Sequence, residues 1–408
     1  MMEFGDFENI FITGVTGVVG GRLLYEILAS TKADVYCLVR ADDQQKARIR
    51  IENMLAIYDP DSVLSSRFES RVIPVIGDIT QPKFGLKAEI YYQLVQQIDR
   101  VFHLAANVNL VAGYDKIAKV NLQGTAEVID FCLSGNIPLL YASTYSVVGN
   151  KTLQSGLIFK ETDLDIGQSF EYQNYELSKI RAEKLIHEAE KRGLKSVIVR
   201  LGDVFGDSKT GCYPIRGTTT QGIYYNIIKT IVETGLFYFS KDYFYVTPVD
   251  YAAESSLYLA SNPDAYGKTF HIVNPDVKYY YDFVNLLVDF GYRVKIISFD
   301  EYVTIFRNNL VEREGKIYSS SFTNIMLFTN VLIGSELPPN AIVLYTAVKI
   351  DTSIAQDFLS KAGISCPPID IKLMSTYLEY CINQNFIAPP ERQYPLATIK
   401  EEIREQGG

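Results

Sequence analysis

Phe11-Ile12-Thr13-Gly14-Val15-Thr16-Gly17-Val18-Val19-Gly20-Gly21-Arg22-Leu23-Leu24 reads as a short apolar strand, a glycine-rich turn and the opening of an amphipathic helix. Gly14, Gly17 and Gly20 stand at G-x-x-G-x-x-G spacing. Such a turn brings bare backbone N–H groups and the positive end of a helix up to a pyrophosphate. Three glycines alone also fit a simple tight turn. The position between a strand and a helix, at the start of a βαβ unit, favours dinucleotide binding. Thr13, Gly14, Thr16, Gly17, Val18, Val19 and Gly20 are therefore the candidates on the phosphate side.

Outward from the turn, Leu23, Leu24, Ile27 and Leu28 recur at helical spacing, and Val35-Tyr36-Cys37-Leu38-Val39 forms a second strand ending in Arg40. About twenty residues past the turn, an NAD site carries Asp or Glu for the ribose 2′-hydroxyl. Here the position holds Arg40, a cation that suits a 2′-phosphate, with Arg48 and Arg50 in the following helix. Asp42 and Asp43 leave room for NAD, but the balance favours NADPH. A third strand starting at Val72 ends in Gly77-Asp78-Ile79, placing Asp78 to meet the adenine edge or to form a turn. A fourth, Val101-Phe102-His103-Leu104-Ala105-Ala106-Asn107, ends in small residues that let a ligand approach the backbone. His103, inside an apolar strand, reads as a satisfied core residue. Asn121, in a helix expected over 114–133, braces the site from within, and Gly202 after the sixth strand lies where a nicotinamide is oriented. Strands alternating with helices argue a doubly wound parallel sheet.

Chemistry is carried by Tyr175-Glu176-Leu177-Ser178-Lys179. The i to i+4 spacing sets Tyr175 and Lys179 one turn apart on one helical face. A phenol has an ordinary pKa of about 10, and a neighbouring ammonium is expected to lower it into a usable range for proton donation. Thr144, at the mouth of the fifth strand, offers a second hydroxyl to the same substrate oxygen. Y-x-x-x-K by itself is common on ordinary helices; its company here makes the combination specific.

The bulk properties exclude other classes. A net charge of -9 with no lysine/arginine-rich run argues against nucleic-acid binding. Cys37, Cys132, Cys212, Cys366 and Cys381 are scattered without a C-x-x-C pair, and three histidines are too dispersed for a metal cluster, so no metal is expected. Reduced thiols and an acidic start, Met1-Met2-Glu3-Phe4-Gly5-Asp6, point to a cytoplasmic protein. The uncharged run 317–335 is interrupted by Ser319, Ser320, Ser321, Thr323, Asn324, Thr329 and Asn330 and makes a poor membrane span.

The expected architecture is α/β: a Rossmann-type doubly wound parallel sheet over 1–206, rejoined by 241–275, with a smaller, mainly helical C-terminal substrate lobe from 207–240 and 276–408. Pro338-Pro339 and Pro367-Pro368 punctuate that lobe, and a late amphipathic helix is expected over 372–385.

These residues resemble the extended short-chain dehydrogenase/reductases, and among them the thioester reductase domains that close nonribosomal peptide and polyketide assembly lines and carboxylic acid reductases. The general likeness rests on Gly14, Gly17, Gly20, Asp78, Thr144, Tyr175 and Lys179. The narrower one rests on longer strings, including Gly77-Asp78-Ile79-Thr80-Gln81-Pro82, His103-Leu104-Ala105-Ala106-Asn107, Asn121-Leu122-Gln123-Gly124-Thr125 and Pro248-Val249-Asp250-Tyr251. It runs over nearly all of 8–390 and weakens after about 276. The resemblance implies that Arg40 and Arg50 hold the 2′-phosphate of NADPH, that Thr144 and Tyr175 polarise a thioester carbonyl, and that Lys179 grips the nicotinamide ribose. It implies a phosphopantetheinyl carrier protein as partner, presenting an acyl or peptidyl thioester for release as aldehyde or alcohol. Leu201 stands where the family has proline, and Asn174 where it has glycine, which touches loop geometry rather than chemistry. Fatty acyl-CoA reduction and nucleotide-sugar epimerisation or dehydration are the rivals on the same fold, and a cofactor-sensing scaffold is the non-enzymatic one. A basic helix face from Arg181, Lys184, Lys191, Arg192 and Lys195 would attract an acidic carrier despite the overall negative charge.

Overall fold

The computed structural model describes residues 7–109, 112–154, 156–171, 173–215, 222–240, 242–298, 301–302, 304–305 and 347–390. Seven strands form one sheet: β1 (Asn9–Thr13), β2 (Asp34–Val39), β3 (Val72–Ile76), β4 (Arg100–His103), β5 (Leu139–Thr144), β6 (Ser196–Leu201) and β7 (Lys268–Ile272). All neighbours pair parallel, in the spatial order β3-β2-β1-β4-β5-β6-β7. The chain thus winds outward one way from β1 and then the other, and the crevice lies beyond the carboxyl ends of β1 and β4, where direction reverses.

Period-two alternation assigns each strand residue to one of two buried layers. Ile10, Ile12, Val35, Cys37, Val39, Leu140, Ala142, Val197 and Val199 point into the core that holds α1 (Val18–Ser30) and, later in the chain, the helix Val249–Ser261. Phe11, Leu38, Leu139, Tyr141 and Ile198 point the other way. Their layer holds α2 (Ala88–Gln97), α3 (Gly124–Gly135) and α4 (Asn174–Glu190). The helix Gln44–Tyr58 joins the first layer through Ala47, Ile51 and Leu55.

The expected continuous helix over 114–133 is interrupted. Tyr114–Ala118 is α-helical, Lys119–Gln123 forms a π-turn, and α3 follows. A π-turn inserts one extra residue per turn and turns a side chain out of the regular helical positions. Asn121 sits in it, buried.

A second, aromatic-rich cluster contains Phe205, Tyr225, Phe237, Phe244, Phe283 and Tyr377 and is built largely on the helices Ile223–Thr234, Tyr280–Phe290 and Ile371–Asn383. Helix Ser353–Lys361, expected in this lobe, buries Ala355 and Leu359 in the core beneath the sheet, with Phe358 edge-on to Phe270 of β7 at 5.1 Å. Glu161 anchors it: its carboxylate accepts backbone N–H bonds from Ile354 (2.7 Å), Ala355 (3.0 Å) and His271 (2.8 Å), tying helix to strand. The uncharged run 317–335 lies outside the described residues. Among those described, no helix is long and apolar enough to cross a membrane.

Candidate active site

Gly14 takes φ +80°, and a Cβ there would lie 2.5 Å from the Ala105 nitrogen. A Cβ on Gly20 would strike the carbonyl oxygen of Gly14. Both positions therefore demand glycine for close approach of backbone to backbone. Gly17 N–H donates to Gly14 O at 2.9 Å, and Gly17 caps α1 without any side-chain bond or acidic residue in the first turn. The helix thus opens with donors and a positive dipole end and with no carboxylate of its own, which fits a pyrophosphate. Val18 and Val19 begin that helix and Thr16 lies half-buried in the turn. Thr13 is buried beneath it: its hydroxyl accepts from Ala105 N–H at 3.3 Å and bonds to His103 Nδ1 at 2.6 Å.

At the end of β2, Arg40 and Arg50 are exposed and adjacent, the Arg50 guanidinium donating to the Arg40 carbonyl. Arg48 is committed elsewhere, bonded to Glu69 at 2.9 Å and lying over the Phe68 ring. Asp43 caps the following helix by accepting from Lys46 N–H at 2.7 Å, and Asp42 pairs with the Lys46 ammonium at 2.8 Å. Both carboxylates that left room for NAD are thereby engaged. Beyond β3, Asp78 Oδ1 accepts from Thr80 N–H at 2.9 Å, the turn role foreseen as its alternative. The Ile79 side chain is buried against α3. Ala105, Ala106 and Asn107 follow β4 half-buried, and Gly202 follows β6 with its N–H on Ile272 O at 3.1 Å.

A directional relay of hydrogen bonds, buried from Thr13 to Ser178, runs from beneath the glycine turn to the helix that carries Tyr175. The Thr125 hydroxyl donates to Asn121 O at 2.7 Å, so its oxygen accepts from His103 Nε2 at 3.0 Å. The ring's proton is therefore on Nε2, and Nδ1 accepts from the Thr13 hydroxyl. Asn121 grips Asn107 twice, accepting its N–H at 2.7 Å and donating to its carbonyl at 3.1 Å. It also donates to Ser178 Oγ at 2.8 Å, and Ser178 donates to Tyr175 O at 2.6 Å. His103 is the satisfied core residue its strand suggested, its pKa held down to about 3, mainly by burial and then by Lys179.

Thr144 closes β5, its hydroxyl donating to Ser146 Oγ and accepting Ser146 N–H, each at 3.2 Å. Lys179 is 2% exposed; its ammonium donates to Ala142 O at 2.5 Å and lies 4.1 Å from the Tyr141 ring centroid. Burial pulls its pKa down to about 7, against the pull of Glu183. Tyr175 is half-buried at the start of α4, one turn before Lys179. Its phenol is raised, first by burial and then by Glu176, not lowered as the sequence suggested. The physical reason is that Lys179 is itself desolvated and turned to the Ala142 carbonyl, so its field does not offset the burial of the phenol. The resulting tyrosine stays protonated at neutral pH and has its O–H to donate.

One further residue escapes a motif search. Glu183, fully buried, accepts from Ser143 Oγ and is ion-paired with Arg200 at 2.7 Å. Its signal was present: it lies one turn beyond Lys179, at the same i to i+4 spacing. The proposed basic helix face is partly neutralised, Lys184 by Asp165 at 2.8 Å and Lys191 by Glu188 at 2.7 Å. No group of His, Cys, Asp or Glu among the described residues could hold a metal ion.

Comparison with known proteins bears on this arrangement. The terminal R domain from the myxalamid PKS-NRPS biosynthetic pathway superposes with a TM-score of 0.82 at 29% identity, over 95% of this chain and 93% of that one. A linear gramicidin synthase protein of Brevibacillus parabrevis is 27% identical over 92% of the chain, and the L-2-aminoadipate reductase large subunit of Penicillium chrysogenum is 26% identical over 97%. The chain spans only 7% and 29% of the lengths of those two proteins. The family model described as "Male sterility protein" matches residues 12–256, which hold the glycine turn, Thr144, Tyr175 and Lys179. The chain belongs to that family, and is a reductase-type domain of the extended short-chain dehydrogenase/reductase superfamily, akin to the terminal reductase domains of peptide and polyketide synthetases.

Proposed function

We propose that this chain reduces an acyl or peptidyl thioester, presented on the phosphopantetheine arm of a carrier protein, to an aldehyde at the expense of NADPH. The single observation that carries the proposal is one chain of hydrogen bonds that runs from Thr13, beneath the glycine turn, through His103, Thr125, Asn121 and Ser178 to the Tyr175 carbonyl on α4, the helix that also carries Lys179. Relatives that include a peptide synthase and a thiolation-reductase di-domain support the carrier-borne substrate.

The residues of the glycine turn would hold the pyrophosphate, and Arg40 with Arg50 the 2′-phosphate. NADPH supplies hydride from its nicotinamide ring. As hydride reaches the carbonyl carbon, the π-electron pair moves onto oxygen, and the hydroxyls of Tyr175 and Thr144 donate to that oxygen where charge develops. Tyr175 then passes its proton to give a hemithioacetal, with Lys179 supplying positive charge beside the phenolate that remains. Collapse of the hemithioacetal expels thiol and leaves the aldehyde. A thioester needs no prior activation, because thiolate is a good leaving group.

The test is turnover of acyl-pantetheine and acyl-CoA thioesters, each with NADPH and with NADH, with product identified. Aldehyde or alcohol from the pantetheine thioester with NADPH is the expected result. Activity confined to acyl-CoA would move the function to fatty acyl-CoA reduction, and no thioester turnover at all would overturn the proposal.

A further inference from the structure

We propose that Glu183 is a positioning residue for this site: its buried carboxylate, oriented by Arg200 one helical turn beyond Lys179, favours the Lys179 ammonium, and its bond from Ser143 fixes the end of β5 on which Thr144 stands. The inference rests on the reductase reading above and adds a part to it.

Glu183 is 0% exposed, and its hydrogen-bond partners are Arg200 and Ser143, both on strands that border the site. Its Oε2 accepts from Arg200 Nη2 at 2.7 Å and from Nε at 3.2 Å, while Oε1 accepts from Arg200 Nε at 3.1 Å and from Ser143 Oγ. Arg200 is steadied from its far side. His271 Nδ1 donates to Asp351 O at 2.6 Å, which leaves Nε2 to accept from Arg200 Nη1 at 3.2 Å. The guanidinium also lies over the Phe159 ring at 4.9 Å. Along α4, Lys179 and Glu183 are one turn apart, and they hold consecutive residues of β5: Lys179 takes the Ala142 carbonyl and Glu183 the Ser143 hydroxyl, directly before Thr144. The charged and titratable groups around Lys179 are Tyr175 and Glu183 on its own helix, Tyr141 on β5 and His103 on β4, with Arg200 on β6 reached through Glu183. Of these, Glu183 is the one that favours the charged lysine. A carboxylate whose charge is shared with Arg200 still acts on the neighbouring ammonium, since Coulomb energy falls with distance and the two side chains are one helical turn apart.

The test is a titration of the full chain labelled with ¹³C at lysine Cε, the Lys179 signal being assigned by its loss in Lys179→Met. Glu183→Gln should lower the Lys179 midpoint by about one pH unit or more, a tenfold rise in its acid dissociation constant. The double variant Glu183→Gln/Arg200→Gln removes the stranded guanidinium should the single variant fail to fold, and should still lower the midpoint. Ser143→Ala, which keeps the ion pair, should leave it within about 0.3 unit. In turnover, the basic limb of the kcat–pH profile should move down with the midpoint in the Glu183 variants. An unchanged midpoint in folded Glu183→Gln or in the double variant would overturn the inference. The titration needs no substrate, so it reads Glu183 even where the wild type fails to reduce thioesters, and a failure of the reductase reading remains distinct.

Discussion

In the proposed reaction Tyr175 supplies the proton and Arg40 selects the cofactor, and one substitution tests each. Tyr175→Phe removes only a hydroxyl at a half-buried position, so NADPH binding measured by fluorescence should persist while turnover falls by about 10² to 10⁴-fold, the usual worth of a placed acid. Arg40 stands exposed at the end of β2, where the nearby Asp42 and Asp43 are engaged by Lys46. Arg40→Ala should weaken NADPH by roughly ten- to a hundredfold in Kd and leave NADH nearly unchanged, as expected for one charge-assisted contact. Equal losses for both cofactors in a binding titration would remove Arg40 from the 2′-phosphate site. At this scale the sequence was legible where spacing alone brings groups together, as for Tyr175 and Lys179. It misled on the acidity of Tyr175, because the sign of that shift depends on burial and on where the Lys179 ammonium points, neither of which a linear pattern contains.

Among the elements, the turn between β1 and α1 leaves no room for a side chain at Gly14 or Gly20. Gly14→Ala adds a methyl group 2.5 Å from the Ala105 nitrogen at a positive φ, so the turn must shift away from β4. NADPH affinity should fall by at least about a hundredfold, with stability lowered by roughly 1–3 kcal/mol in denaturant unfolding. Full retention of affinity would show that the turn does not cradle the phosphates. The strand-and-helix alternation that announced this turn could be read from the sequence because a sheet covered on both faces writes each strand as an apolar run. The π-turn at Lys119–Gln123 could not be, since its residues keep a helical pattern and only tertiary bonds from Asn121 to Asn107 and Ser178 draw the extra residue in. Helix Ser353–Lys361 was likewise assigned by its position in the chain, whereas Glu161, far earlier in the sequence, holds it under the sheet.

For the molecule as a whole, buried titrating groups of opposite sense shape the response to acid. His103 and His271 are held to about 3 against an ordinary 6.5, so the unfolded chain binds more protons between those values and stability is lost as pH falls through that window. Glu161 and Glu176 are raised to about 7 and Asp203 to about 6, chiefly by burial; they bind protons first in the folded state, and acidification from 7 to about 4.5 strengthens it. The two effects oppose each other above about pH 4.5, and below it the histidines dominate. Urea midpoints should therefore rise modestly from pH 7 to about 4.5, the three raised carboxyls outweighing the two histidines, and then drop steeply toward 3. A steady decline beginning at about 6.5 would contradict the buried carboxyl assignments. In the proposed reaction a thioester carbonyl receives hydride beside Tyr175. The most direct measurement of that transfer is mass analysis of the product released from an acyl-pantetheine thioester with NADPH deuterated at the transferred position. The wild type should give aldehyde with one deuterium on the former carbonyl carbon, or alcohol with two, and Tyr175→Phe almost no labelled product; an unlabelled product, or equal labelling by the variant, would overturn the proposal.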